Sequence, residues 1–186
     1  MISEDAENLN IALKKTLDLE KDNLEKMISI GLECLSSGGK ILACGNGGSA
    51  SQAQHFAAEL VVRLKKNRKA LPSIALTTDT SILTACSNDY SFDKIFSRQI
   101  EALANEKDIL LCLSTSGNSA NVVQAALAAK EKGCKTVSFT GKKESELEKI
   151  SDVTIKVQAE ETSRIQEIHL FLIHFLAGEL EKPYNE

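Results

Sequence analysis

The chain predicts an α/β fold in which helices cover both faces of a parallel sheet, and three observations carry that expectation. Five short apolar runs alternate with longer segments of helical periodicity. The runs are continuously apolar rather than alternating, which is the pattern of strands buried on both faces. Two of them end in Gly/Asn/Ser loops that lead straight into helices, at the end of the strands where open α/β sheets bind ligands. With 186 residues and 42% hydrophobic content the chain suffices for one substantial core, and a single domain is expected.

In residues 3–36, Ala6, Leu9, Leu13, Leu17, Leu24, Met27, Ile28, Gly31 and Leu35 recur at helical spacing, with Ser3 as a start signal and Gly38-Gly39 as a stop. This reads as one long amphipathic helix or two in series. Residues 40–44 form a first strand, 49–64 a helix and 72–77 a segment containing a second strand. Helical segments follow at 80–88 and 92–104, then a strand at 108–113 and a helix at 120–132. A fourth strand at 135–140 is closed by Gly141; 142–149 reads as a short helix, 153–157 as a fifth strand and 162–181 as a final helix.

Composition removes several function classes. A formal charge of -4 gives no electrostatic basis for a nucleic-acid surface, and the basic run at 63–69 reads as a solvated helix C-terminus that complements the dipole. Cys34, Cys44, Cys86, Cys112 and Cys134 are odd in number and widely spaced, so they fit neither a disulfide framework nor a C-x-x-C metal motif and read as small core residues. The acidic start, Met1 to Glu7, lacks a signal-peptide pattern, and no apolar run reaches membrane-spanning length. A cytoplasmic protein without a membrane partner is expected.

Three constellations carry chemistry. Ser114, Thr115, Ser116, Gly117, Asn118 and Ser119 lie between a strand and a helix, where unpaired N–H groups and the helix dipole favour an anion. Gly45-Asn46-Gly47-Gly48-Ser49-Ala50 repeats that grammar. It formally satisfies G-x-G-x-x-A, yet the window expected to hold a ribose-binding acid holds the basic run instead, so no nucleotide cofactor is expected. On its own, this loop also reads as a tight turn that needs glycine for backbone geometry. On the next helix His55, Glu59 and Arg63 share one face at i, i+4, i+8, on a segment otherwise so apolar that it looks nearly buried. His-x-x-x-Glu can supply two metal ligands or an acid/base pair. In the final helix His174 stands among Leu170, Phe171, Leu172, Ile173, Phe175 and Leu176, which suggests an apolar setting, and Gln166, Glu167 and His169 precede it. Gln166 and His174 are separated by about 12 Å along an unbroken helix, so a small ligand addressed by both implies groups from more than one subunit.

The segments G-N-G-G-S-A-x-x-A-Q-H-F-A-A-E-L, T-D-T-S-x-L-T-A-x-x-N-D-Y-x-F, I-F-S-R-Q-I-E-A-L, S-T-S-G-N-S-x-N-V and S-R-I-Q-E-I-H together resemble the bacterial phosphoheptose isomerases of the sugar isomerase (SIS) domain family. The likeness runs from about Gly38 to His174. It implies a three-layer α/β/α sandwich around a five-stranded parallel sheet, with a long N-terminal helix (1–37) as an oligomerisation element ahead of the α/β core (38–186). It further implies a homotetramer with active sites at subunit contacts. Matched by motif, Glu59 and His174 become the acid/base pair for converting sedoheptulose 7-phosphate into D-glycero-D-manno-heptose 7-phosphate, the first step toward activated heptose for conjugates such as lipopolysaccharide. Metal-binding members imply one zinc ion per subunit on His55, Glu59, Gln166 and His174. Substrate contacts map onto Asn46, Gly47, Gly48 and Ser49, onto Glu59, Asn88, Asp89 and Gln166, and onto Ser114, Thr115, Ser116 and Ser119. The alternative is a non-catalytic SIS-domain binding module of the kind that associates with replication initiators. Two departures stand out: some members carry an aspartate where this chain has Ser163, and the segment after Gly141 is Lys/Glu-rich rather than glycine-rich.

Overall fold

The computed structural model describes residues 2–184. Five strands, β1 (Ile41–Gly45), β2 (Ser73–Ala75), β3 (Ile109–Leu113), β4 (Lys135–Gly141) and β5 (Val153–Val157), form one sheet. All pairings are parallel and the strand order is β2-β1-β3-β4-β5. Among the described residues eight α-helices surround it: α1 (Ile2–Leu19), α2 (Lys21–Ser36), α3 (Gly48–Val61), α4 (Thr80–Asp89), α5 (Ser97–Leu103), α6 (Ala120–Glu131), α7 (Glu146–Ile150) and α8 (Thr162–Glu181).

β1 and β3 are buried along their whole length because both faces are covered. On one face, Phe56 and Leu60 of α3, Met27 of α2, and Leu172, Leu176 and Leu180 of α8 pack against Ala43, Leu111 and Phe139. On the other, Ile100 of α5, Val122, Ala125 and Ala129 of α6 and Leu147 of α7 pack against Leu42, Leu110 and Cys112. The result is the three-layer sandwich. All five cysteines are buried, and burial pushes the Cys34 thiol up to about 12, away from nucleophilic use.

The N-terminal segment resolves into two helices, which break at Glu20 (φ -102, ψ 11). Both belong to the core. Ala12, Leu24, Met27, Cys34 and Leu35 are buried in it, and the Gln158 N–H donates to Thr16 Oγ1 at 2.9 Å. Three boundaries differ from expectation, the first being that the 49–64 helix ends at Val61. The 142–149 helix begins only at Glu146, where Ser145 caps it by accepting from the Glu148 N–H. The 92–104 segment splits into a 3-10 turn (Phe92–Lys94) and α5.

The chain moves from β1 outward to β2, then crosses back so that β3 flanks β1 on its other side. Adjacent strands leave their carboxyl ends in opposite senses at such a point, and a crevice opens between the two loops that follow them. Here those loops are the two glycine/serine segments.

Candidate active site

β1 delivers its loop through Gly45, where a Cβ would stand 2.8 Å from the Leu113 carbonyl oxygen and 2.8 Å from the Ser49 Cβ. Gly47 then takes φ 54, a left-handed conformation natural to glycine, and starts α3. The second loop leaves β3 at Ser114, whose hydroxyl oxygen accepts from the Gly117 N–H (3.1 Å) and lies 3.2 Å from Ser119 Oγ. Ser119 is the N-cap of α6, but its side chain makes no bond to the first-turn N–H groups. The Val122 and Val123 N–H groups donate to the Ser119 carbonyl at 3.0 Å, which leaves the N–H groups of Ala120 and Asn121 to an anion, with Ser116 exposed beside them. Gly117 (φ 65) permits the turn, and α7 supports it from behind, because the Leu147 N–H donates to the Gly117 carbonyl and the Glu146 N–H to Asn118 Oδ1.

Asn46 and Asn121 join the two loops by a reciprocal amide pair, each Nδ2 donating to the other's Oδ1 at 2.8 and 2.9 Å. Asn121 is 1% exposed and was not among the residues expected from sequence. Its signal was present, as an Asn two residues beyond a serine N-cap on a helix face that must be buried.

The second half of the site lies where α3 packs on α8. His55 Nε2 is 2.9 Å from Glu59 Oε1 and 3.1 Å from His174 Nε2, with the two imidazole rings edge to face at 4.7 Å. A single nitrogen facing one carboxylate and a second imidazole nitrogen cannot satisfy both with one hydrogen. The donor set is the His/Glu chemistry of zinc. The 3.1 Å approach of the two nitrogens is near the roughly 3.3 Å between two nitrogen ligands on a tetrahedral ion with bonds of about 2.0–2.1 Å. These three side chains fit a divalent metal.

Several expectations need correction. α3 is not buried on its polar side: His55 is exposed, and Val61 and Val62 are 45% and 68% exposed. Nor is His174 a core side chain. It is half-buried beside an open cavity of about 460 Å³ with Leu64, Phe171 and Phe175, and the core histidine of α8 is His169, at 0% exposure. The basic run folds back rather than extending a helix, for Arg68 donates to the carbonyls of Glu59 and Leu60 and its Nε lies 3.4 Å from Glu181 Oε2. Arg68 thereby closes the C-terminal end of α3 directly under Glu59.

The structure brings His55, Glu59 and His174 together but leaves Gln166 elsewhere. The Gln166 amide sits against Gly48, where a Cβ would meet it at 2.7 Å, and its backbone carbonyl accepts from Gln52 Nε2. It therefore adjoins the first loop, about 10 Å along α3 from His55. Ser49 is buried at the same helix start. Asn88 and Asp89 bond to each other at the end of α4, and Asp89 lines a separate cavity with Ile82, Tyr90 and Arg98. Among the described residues no hydrogen bond ties them to either loop. Within one chain the site is thus two parts: a crevice at the two glycine/serine loops that includes Gln166, and a His55–Glu59–His174 group farther along α3.

The chain matches the SIS domain family model over residues 6–141. A phosphoheptose isomerase of Helicobacter pylori (strain P12) is 48% identical over 173 residues, covering 93% of this chain and 90% of that one. Among solved structures, a phosphoheptose isomerase of Neisseria gonorrhoeae matches with a TM-score of 0.90 at 40% identity, over 97% of this chain and 96% of that one. One from Francisella tularensis matches with a TM-score of 0.93 at 34% identity over the same shares. Among the described residues no helix is long and apolar enough to cross a membrane.

Proposed function

This chain belongs to the SIS-domain family, and from that membership we propose that it is a sugar-phosphate isomerase that converts sedoheptulose 7-phosphate to D-glycero-D-manno-heptose 7-phosphate. The observation that carries the reading is the convergence of Glu59, His55 and His174 on one another, on a fold that also presents a crevice of loop hydroxyls and helix-start N–H groups. A binding module needs the crevice alone.

In this reading the 114–119 loop and the start of α6 hold the phosphate, which fixes the far end of the substrate. Asn46, Gly47, Gly48, Ser49 and Gln166 border the sugar, and Asn88 and Asp89 serve a site completed across a subunit contact. The reaction removes a proton from C1 of the ketose, passes through a 1,2-enediol and returns a proton to C2, while a proton moves from O1 to O2. Glu59 carries the carbon-bound proton and His174 exchanges the oxygen proton, the roles that suit a carboxylate and an imidazole near neutral pH. His55 holds Glu59 in place through its 2.9 Å contact. Zinc held by His55, Glu59 and His174, with Gln166 of a second copy as the further ligand that the family likeness implies, would supply Lewis-acid stabilisation of the enediolate oxygen. The protein acts as a homotetramer, with α1 and the exposed apolar residues around His174 at the contacts.

Purified protein incubated with sedoheptulose 7-phosphate in D2O should form the aldose and exchange the migrating hydrogen, both readable by NMR. Glu59→Gln and His174→Gln should each lower turnover by about 100-fold or more with unchanged circular dichroism. An intact, metal-supplied oligomer with no turnover would overturn the isomerase reading in favour of a binding module. Metal analysis should find zinc in the wild type and less in His55→Ala.

A further inference from the structure

Beside the 114–119 loop lies a cavity of about 270 Å³ whose charge the acid/base reading leaves unused. Thr115, Ser116 and Asn118 of the loop form one wall, and Lys142, Lys143, Glu144 and Glu160 line it as well. The lysines reach this position through the backbone, because the Gly141 N–H donates to the Thr115 carbonyl at 3.0 Å and places the next residue, Lys142, against the loop. Lys142 Nζ is held by Glu160 Oε1 at 2.7 Å, and both side chains are exposed. That contact draws the Glu160 carboxyl below the usual carboxylate range, with help from the charge of Lys143.

The loop offers hydroxyls and amides but no cation, whereas a phosphate monoester carries about -1.5 to -2 charge at pH 7. Hydroxyls orient such a group without neutralising it. We propose that Lys142, with Lys143 beside it, is a contact for the substrate's phosphate, held by Glu160 in the empty site and exchanged onto the phosphate when the sugar phosphate binds. The proposal rests on reading the 114–119 loop as the phosphate cradle. An exposed Lys–Glu pair is weak and a cation–phosphate contact stronger, so the exchange runs toward the ligand. Glu160 then acts as a built-in competitor that keeps the cavity from binding anions indiscriminately.

The pair makes predictions of opposite sign. In calorimetric titration of the full-length protein with inorganic phosphate, Lys142→Ala should weaken binding about tenfold, and Lys142→Ala/Lys143→Ala further, with a shallower salt dependence. Glu160→Gln should tighten binding about two- to threefold by removing the competitor. With sedoheptulose 7-phosphate, the Lys142→Ala loss should fall on KM rather than kcat. If Lys142→Ala leaves phosphate affinity unchanged, or Glu160→Gln weakens it as much as Lys142→Ala does, the pair is only a surface brace and the proposal falls. Ser116→Ala/Ser119→Ala separates the two claims. Weakened binding there with none in Lys142→Ala overturns the lysine contact alone, whereas unchanged binding in the serine variant overturns the cradle and the proposal with it.

Discussion

At the scale of single residues, His169 shows how burial can decide what a polar side chain is for. It is fully buried in α8, tilted against Phe139, with Nε2 3.4 Å from the Thr140 carbonyl and Nδ1 without a partner. Burial pulls its pKa from 6.5 down to about 4, and the Thr140 contact opposes this only in part. The folded state therefore keeps the ring neutral while the unfolded chain takes up a proton below pH 6.5. Between pH 6.5 and about 4 the unfolded state binds more protons, so stability falls as pH falls, by about 3 kcal/mol in all. Urea titrations at pH 7 and at about pH 4.5 should show His169→Phe losing less stability between the two than the wild type does; an equal loss in both would contradict this account. The sequence placed two histidines in one apolar helix without telling them apart. Their burial depends on whether another element covers that face of α8, and helical spacing carries no such information. Asn121 went unread for the same reason, since its partner Asn46 is 75 residues away.

At the scale of elements, the helix starts that follow β1 and β3 were legible because the requirement is local: glycine for a left-handed turn, small polar residues at a cap, then apolar periodicity. The glycines of the first loop separate two kinds of constraint. Gly45→Ala would drive a methyl against the Leu113 carbonyl and Ser49, both fixed by the sheet and α3, and should cost about 1–3 kcal/mol in chemical denaturation. Gly48→Ala meets the Gln166 amide, the free end of a flexible side chain, so it should leave stability nearly unchanged and lower turnover by displacing Gln166. Equal losses of stability in the two variants would contradict that distinction. The far end of α3 was misread because Arg68 stops the helix by donating to the carbonyls of Glu59 and Leu60. No pattern in residues 63–69 reveals that one of five basic side chains turns inward. The late start of α7 follows similarly from Ser145, which caps the helix at the Glu148 N–H and whose Oγ lies 2.4 Å from where a Cβ on Gly117 would stand.

At the scale of the whole molecule, the alternation of strands and helices made the layered architecture readable, whereas the strand order and the division of the site came only with the fold. The crevice and the His55–Glu59–His174 group occupy different stretches of α3, and the latter opens onto a cavity lined by exposed Phe171 (42%). Covering such a face removes apolar surface from water, and a second copy that does so would place one chain's histidines near another chain's crevice. Phe171→Asp should therefore shift the mass in light scattering toward the monomer and abolish turnover with circular dichroism unchanged; a wild-type monomer with full turnover would refute the shared site. The amide pair of Asn46 and Asn121 also bears on descent. Replacing the half-buried Asn46 leaves the donor and acceptor of the buried Asn121 unmet, a cost large enough to matter to a marginally stable chain. The two loops are therefore heritable as one unit: a lineage that alters one must alter its partner, and a loop grafted from a relative must bring both asparagines or neither.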